Sequence, residues 1–243
     1  MNSELQQELN IFYNEYNKYD SSLYGVHSKL DHTFRVVNYA RDIAVLEGLT
    51  YADFLEATRC ALFHDIARFK QFATYNTFID SLSFDHGDEG YNILKEVGYE
   101  DEIVLLSTKY HNKKDVPGNL PDRTKLFCNI TRDADKLDIM ATQGLTCEDE
   151  TFILPEEAIQ SIKNHTLVLN DERYEKMDSY NILRCIAFIF DLNFKRSFEV
   201  VKEFNIVSNK FNTLLNRASD EQKIILNELQ DICNKYLDER ISD

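Results

Sequence analysis

Apolar residues recur at helical spacing along most of this chain. Leu5, Leu9, Phe12 and Tyr16 fall at i, i+4, i+7 and i+11, one face of a helix over residues 4–18. Residues 29–47 repeat the stripe with Val36, Ala40 and Ile43, and Gly48 is placed to end that helix. Thr50 followed by Asp53 is a capping signal ahead of the apolar run Phe54 to Phe63. Further helices are expected from His86 to a stop at Gly98, over 101–111, and from Pro121 through about residue 140. Beyond 148 the pattern changes. CEDETFILPEEA is an acidic connection with Pro155 at a helix start, and the apolar stretch 175–204 reads as one long buried helix or two in succession. Residues 208–238 are amphipathic, with Ser219 and Gln222 as a capping box midway.

Composition supports the helical reading. Gly (7) and Pro (3) are scarce, and a β-rich chain needs both in its many tight turns. With 243 residues there is room for one large core or at most two domains. The change near 148 lacks the Gly, Ser or Pro of a flexible joint. The expectation is therefore a single all-α domain, a helical bundle over 1–243 whose C-terminal helices (150–243) pack on the rest. Five widely spaced cysteines with no CxxC pair speak against a disulfide framework and a zinc ribbon, and point to a reducing compartment. The N-terminus is acidic where a signal peptide is basic, and no run approaches the roughly 20 apolar residues that span a bilayer. A cytoplasmic location without membrane contact is expected. The net charge of −15 argues against extended nucleic-acid binding, which needs a basic surface.

The chemistry lies in the histidines. Of six, four form an ordered series with two aspartates: His32, the doublet His64-Asp65, His86, His111 and Asp135. The intervals are 32, 22, 25 and 24 residues, each about one helix and a turn. Neutral imidazoles and carboxylates are the ligands that a catalytic divalent metal takes. Neighbours on a helix point about 100° apart, so one ion can touch both His64 and Asp65 only near a helix end. His32 and Asp135 then complete a set of two nitrogens and two oxygens. Such a thiolate-free set suits Mn, Fe, Co, Mg, Ni or Zn in a catalytic role and disfavours structural zinc. Basic residues stand nearby: Arg35 after His32, Arg68 and Lys70 after Asp65, and Lys109, Lys113 and Lys114 around His111.

The order His, His-Asp, Asp, carried by DHTFRVVNYARDIA, ATRCALFHDIARF and TRDADKLDIM, resembles the HD-domain superfamily of metal-dependent phosphohydrolases. The resemblance covers residues 27 to 145 and implies an HD-type helical core. It implies His32, His64, Asp65 and Asp135 as ligands of one metal, with Asp133 and Asp138 as neighbouring alternatives to the last. Many members carry two more histidines that bind a second metal, and His86 and His111 match them, with Asp65 as the bridge. His27 and His165 have no such place. The implied activity is hydrolysis of a nucleotide or other small phosphate ester, with Asp65 in the catalytic centre. Arg35 or Lys109 would hold phosphate oxygens, and Asp88 or Glu89 would be candidates for a general acid. The same ligand series also fits a di-iron oxygenase, and a silent nucleotide sensor keeps the same fold.

Overall fold

In this computed structural model, which describes residues 3–242, helix boundaries follow the side chains that satisfy first-turn amides and the residues that can end a last turn. A 3-10 turn, Ser3–Leu5, leads into α1 (Gln6–Tyr16). Helix α2 (Tyr24–Leu46) starts earlier than the apolar stripe suggested. It closes at Gly48, whose φ of 71° only glycine adopts cheaply, with Leu49 N–H on the Ala44 carbonyl. Helix α3 (Tyr51–Phe63) opens on the expected capping box, Thr50 and Asp53 each accepting the other's backbone N–H at 3.2 Å. A short helix that the sequence did not announce, α4 (Arg68–Tyr75), ends at Asn76 in the left-handed region. Helices α5 (His86–Glu96) and α6 (Glu102–Tyr110) are N-capped by Asp85 and Asp101, and α7 (Asp122–Thr142) follows Pro121.

The chain divides into two compact units, the first closing at Asp135 and the second opening at Lys136, so α7 runs from one into the next. In the first unit α2 packs on α3 and α4, α3 on α1 and α6, and α5 on α6. Its interior holds Phe12, Val36, Ile43, Phe63, Phe69 and Leu94, all fully buried. Glycines set two of these contacts. A Cβ at Gly87 would lie 2.4 Å from Asn112 Oδ1 and 2.6 Å from the Lys109 carbonyl, and one at Gly90 would lie 2.8 Å from Thr108 Cγ2. The spacing of α5 and α6 thus depends on bare backbone at both positions.

The second unit comprises α8 (Glu156–Lys163), α9 (Asp178–Ala187), α10 (Lys195–Glu203), α11 (Ile206–Leu215) and α12 (Asp220–Ser242), with the end of α7. The stretch expected as one or two helices over 175–204 is α9 and α10, separated by a 3-10 turn at Phe188–Asp191. Ser219 and Gln222 cap α12 reciprocally. All five cysteines are buried and free. No helix among the described residues is long and apolar enough to cross a membrane.

Candidate metal centre

His32 sits inside α2, where the stripe that buries Val36 and Ala40 also buries it. His64 is the C-cap of α3, and Asp65 starts the turn that leads into α4, with Ile66 N–H on the Phe63 carbonyl and Arg68 N–H on the Asp65 carbonyl. The helix therefore ends where the doublet stands, which frees both neighbours to face one point. His86 opens α5, His111 caps α6 and Asp135 lies in α7. These six residues converge. His32, His64 and Asp135 offer ligand atoms within 4.8 Å of one another, and so do Asp65, His86 and His111.

Asp65 joins the two groups. Its Oδ2 lies 3.4 Å from His32 Nε2 and 3.6 Å from His64 Nε2, while its Oδ1 lies 3.5 Å from both His86 Nε2 and His111 Nε2. Within the first group His32 Nε2 is 3.2 Å from both His64 Nε2 and Asp135 Oδ1. Asp133 is fully buried in α7 and belongs to neither group.

The far nitrogens fix the tautomers. His64 Nδ1 donates to the Ala61 carbonyl at 2.7 Å and His111 Nδ1 to the Thr108 carbonyl at 2.8 Å. His86 Nδ1 donates to Asp80, 2.7 Å from Oδ2. Carbonyl and carboxylate oxygens only accept, so each Nδ1 carries a proton, and in the neutral ring Nε2 presents the lone pair. His86 Nε2 and His111 Nε2 lie 3.1 Å apart with Asp65 Oδ1 3.5 Å from each, three atoms of the kind that ligate a metal ion. Burial pushes the His64 imidazole down to about 3 and the His86 imidazole to about 4, so both are neutral ligands at physiological pH. Burial pushes the Asp65 carboxyl up, but the Lys29 ammonium and the Arg68 guanidinium beside it outweigh burial and hold the group well below the usual range. Asp135 is likewise held low, the His32 hydrogen bond outweighing burial. The two groups could hold metal ions.

Lys29 Nζ lies 2.6 Å from Asp65 Oδ2 and Arg68 Nε 3.4 Å from Asp65 Oδ1. Both cations also lie near the Phe78 ring, at 5.3 and 5.7 Å from its centroid. Arg68 reaches on to the Phe78 carbonyl and to Asp80, tying the loop after α4 to the doublet. Of the two cations expected to hold phosphate, Arg35 has an exposed side chain one turn along α2 from His32. Lys109 lies over the Tyr91 ring, 3.8 Å from Asp88. Asp88 and Glu89 pair with Lys113 and Lys70. His27 is exposed beside Asp31, and His165 stacks on Phe190. Sequence reasoning passed over Lys29, Asp80 and Asn112. Asn112 Nδ2 donates to Asp85 and Asp80, and only its position after His111 marked it. Arg132, one turn before Asp135, donates to the carbonyls of His111 (3.3 Å), Lys113 and Lys114 (3.1 Å).

Six candidate ligands, drawn from three helices (α2, α5 and α7), the C-caps of α3 and α6 and the turn after α3, in the order His, His-Asp, His, His, Asp, are the arrangement of an HD domain, and residues 30–140 match the family model of that description. This stretch of the chain is an HD domain. Among curated proteins the chain is similar to the symmetrical bis(5'-nucleosyl)-tetraphosphatase of Halalkalibacterium halodurans, 36% identical over 95 residues. That match takes in 34% of this chain and 49% of the relative, so it spans about half the relative's length. No solved structure matches the chain.

Proposed function

We propose that this HD domain is a metal-dependent phosphohydrolase acting on a nucleotide or another small phosphate ester. The observation that carries the reading is Asp65, whose two oxygens each face a separate pair of imidazole nitrogens. The name of the partial relative, a nucleosyl tetraphosphatase, supports the nucleotide end of the substrate class. His32, His64, Asp65 and Asp135 would hold one ion, and Asp65, His86 and His111 a second. When bound, divalent ions of this kind supply Lewis acidity that draws charge from phosphoryl oxygens and lowers the pKa of water from about 15.7 toward 7.

The remaining work falls to the chain's own residues. Asp80 and the Ala61 and Thr108 carbonyls keep the protons on Nδ1, so the ligand nitrogens stay available. Lys29 and Arg68, the cations that touch Asp65, are placed to take up negative charge on a phosphoryl group. Phe78, whose ring centroid is 5.3 Å from Lys29 Nζ and 5.7 Å from Arg68 Cζ, offers an aromatic face near the doublet.

The test is phosphate release by the purified full-length chain from a panel of phosphorylated metabolites, dinucleoside tetraphosphates included, with Mn, Co, Mg or Zn. Release that needs metal and disappears in Asp65→Ala is expected. Protein that binds metal yet releases phosphate from none of the panel overturns the proposal. Tightly bound iron whose absorption responds to oxygen would replace it with an oxygenase.

A further inference from the structure

On α2, Phe34, Val37, Asn38 and Arg41 lie two to nine residues beyond His32, which at 100° per residue places them on the face turned away from it. That face, with α1 and α3, encloses a pocket of about 190 Å³ walled by Leu9, Phe34, Val37 and Leu62. The walls are apolar, but Arg41 lines the same space. Its Nε donates to Thr58 Oγ1 at 3.1 Å, and the Thr58 hydroxyl in turn donates a hydrogen bond to the Phe54 carbonyl at 2.8 Å. The guanidinium lies 5.5 Å from the centroid of the Phe54 ring. Among the described residues no carboxylate pairs with it, in a chain with 42 acidic residues against 27 lysines and arginines. Burial alone lowers its pKa, which is the mark of a charge taken partly out of water without a counter-ion.

With Nε fixed on Thr58, the two terminal nitrogens are left as an end-on fork. That is the arrangement that accepts a planar carboxylate through two parallel hydrogen bonds. Asn38, exposed at the rim, adds an amide. For scale, an apolar cavity of about 150 Å³ takes up benzene, so this one has room for a ring or a short alkyl chain of about six carbons. Inorganic phosphate is a poor fit, because it is strongly hydrated and leaves the four apolar walls uncovered.

We propose that this pocket binds a small carboxylate with a compact apolar body, its carboxylate on the Arg41 fork and its body among Leu9, Phe34, Val37 and Leu62. The site is separate from the metal centre and does not depend on the phosphohydrolase reading. A ligand there touches α1, α2 and α3 together, so it also stabilises the folded first unit by mass action.

Calorimetric titration of the full-length chain with hexanoate, hexanamide and inorganic phosphate tests it. Hexanoate should bind one per chain, at least tenfold more tightly than hexanamide, which has the same body without the charge. Arg41→Gln should weaken hexanoate tenfold or more and leave hexanamide within twofold. Leu9→Trp, which fills the cavity from the half-buried side of α1, should remove both. Equal affinity for hexanoate and hexanamide, hexanoate binding undiminished in Arg41→Gln, or phosphate displacing hexanoate at matched concentration each overturns the proposal. Should Arg41→Gln fail to fold, the hexanoate-to-hexanamide ratio on the unaltered protein decides alone.

Discussion

Asp65 is buried to 3% exposure and answers to four imidazoles and two cations at once. Asp65→Ala leaves Lys29 and Arg68 facing bare imidazoles and removes the shared carboxylate. Metal-dependent turnover should disappear and bound metal should fall, while the far-ultraviolet dichroism of the helices persists. Near-normal turnover in that variant would put the metal site elsewhere. Asp133 and Asp135 of α7 separate just as cleanly. Asp135→Asn should cost metal affinity tenfold or more, since Asp135 Oδ1 lies 3.2 Å from His32 Nε2. Asp133→Asn should chiefly lower the melting temperature, because Asp133 is fully buried outside both groups. A metal titration that ranks the two the other way refutes the register given to α7.

At the scale of elements, α5 and α6 bring His86 and His111 together only because Gly87 and Gly90 let the helices touch. Gly87→Ala places a methyl group against the Lys109 carbonyl, which cannot swing aside as a side-chain tip can. It should cost about 1–3 kcal/mol in unfolding free energy by overpacking, and occupancy of the second group should fall first. Denaturant melts and elemental analysis would read both, and a variant with full metal content would show that α5 gives way freely. Much of this layout was legible beforehand. His64, His86 and His111 stand at helix ends because Asp85 is a strong N-cap and because α3 and α6 stop at His64 and His111, and caps leave short signatures in sequence. Helix α4 left none. Its eight residues hold by burying Phe69 and Gln71 and by the Arg68 contacts, all of them tertiary. The early start of α2 was hidden for the same reason, since Gly25 is there to let the Phe72 ring of α4 approach and weakens any local helical signal. Asp80 belongs to no motif, and only folding carries it to His86.

For the molecule as a whole, metal count and acid response are the sharpest readouts. Under saturating metal two ions per chain are expected, and His86→Ala with His111→Ala should reduce this to one and slow catalysis tenfold or more, about 1.4 kcal/mol. One ion in both proteins would leave a mononuclear centre. Without metal, His64 and His86 are held neutral by burial to about 3 and 4 in the folded chain, against 6.5 when unfolded. Below pH 6.5 the unfolded chain therefore takes up protons that the folded one refuses. Their stabilisation is present above 6.5 and is lost as the pH falls, about 2 kcal/mol per histidine by pH 5. In chelator the melting temperature should drop between pH 7 and pH 5, and a rise would contradict the buried neutral imidazoles. Arg132 adds a consequence of another kind. It anchors the carbonyls of His111, Lys113 and Lys114 to α7, the helix that also presents Asp135. The segment after α6 cannot detach without breaking that grip, so its backbone amides should swap deuterium on the clock of α7 rather than at the rate of a surface loop.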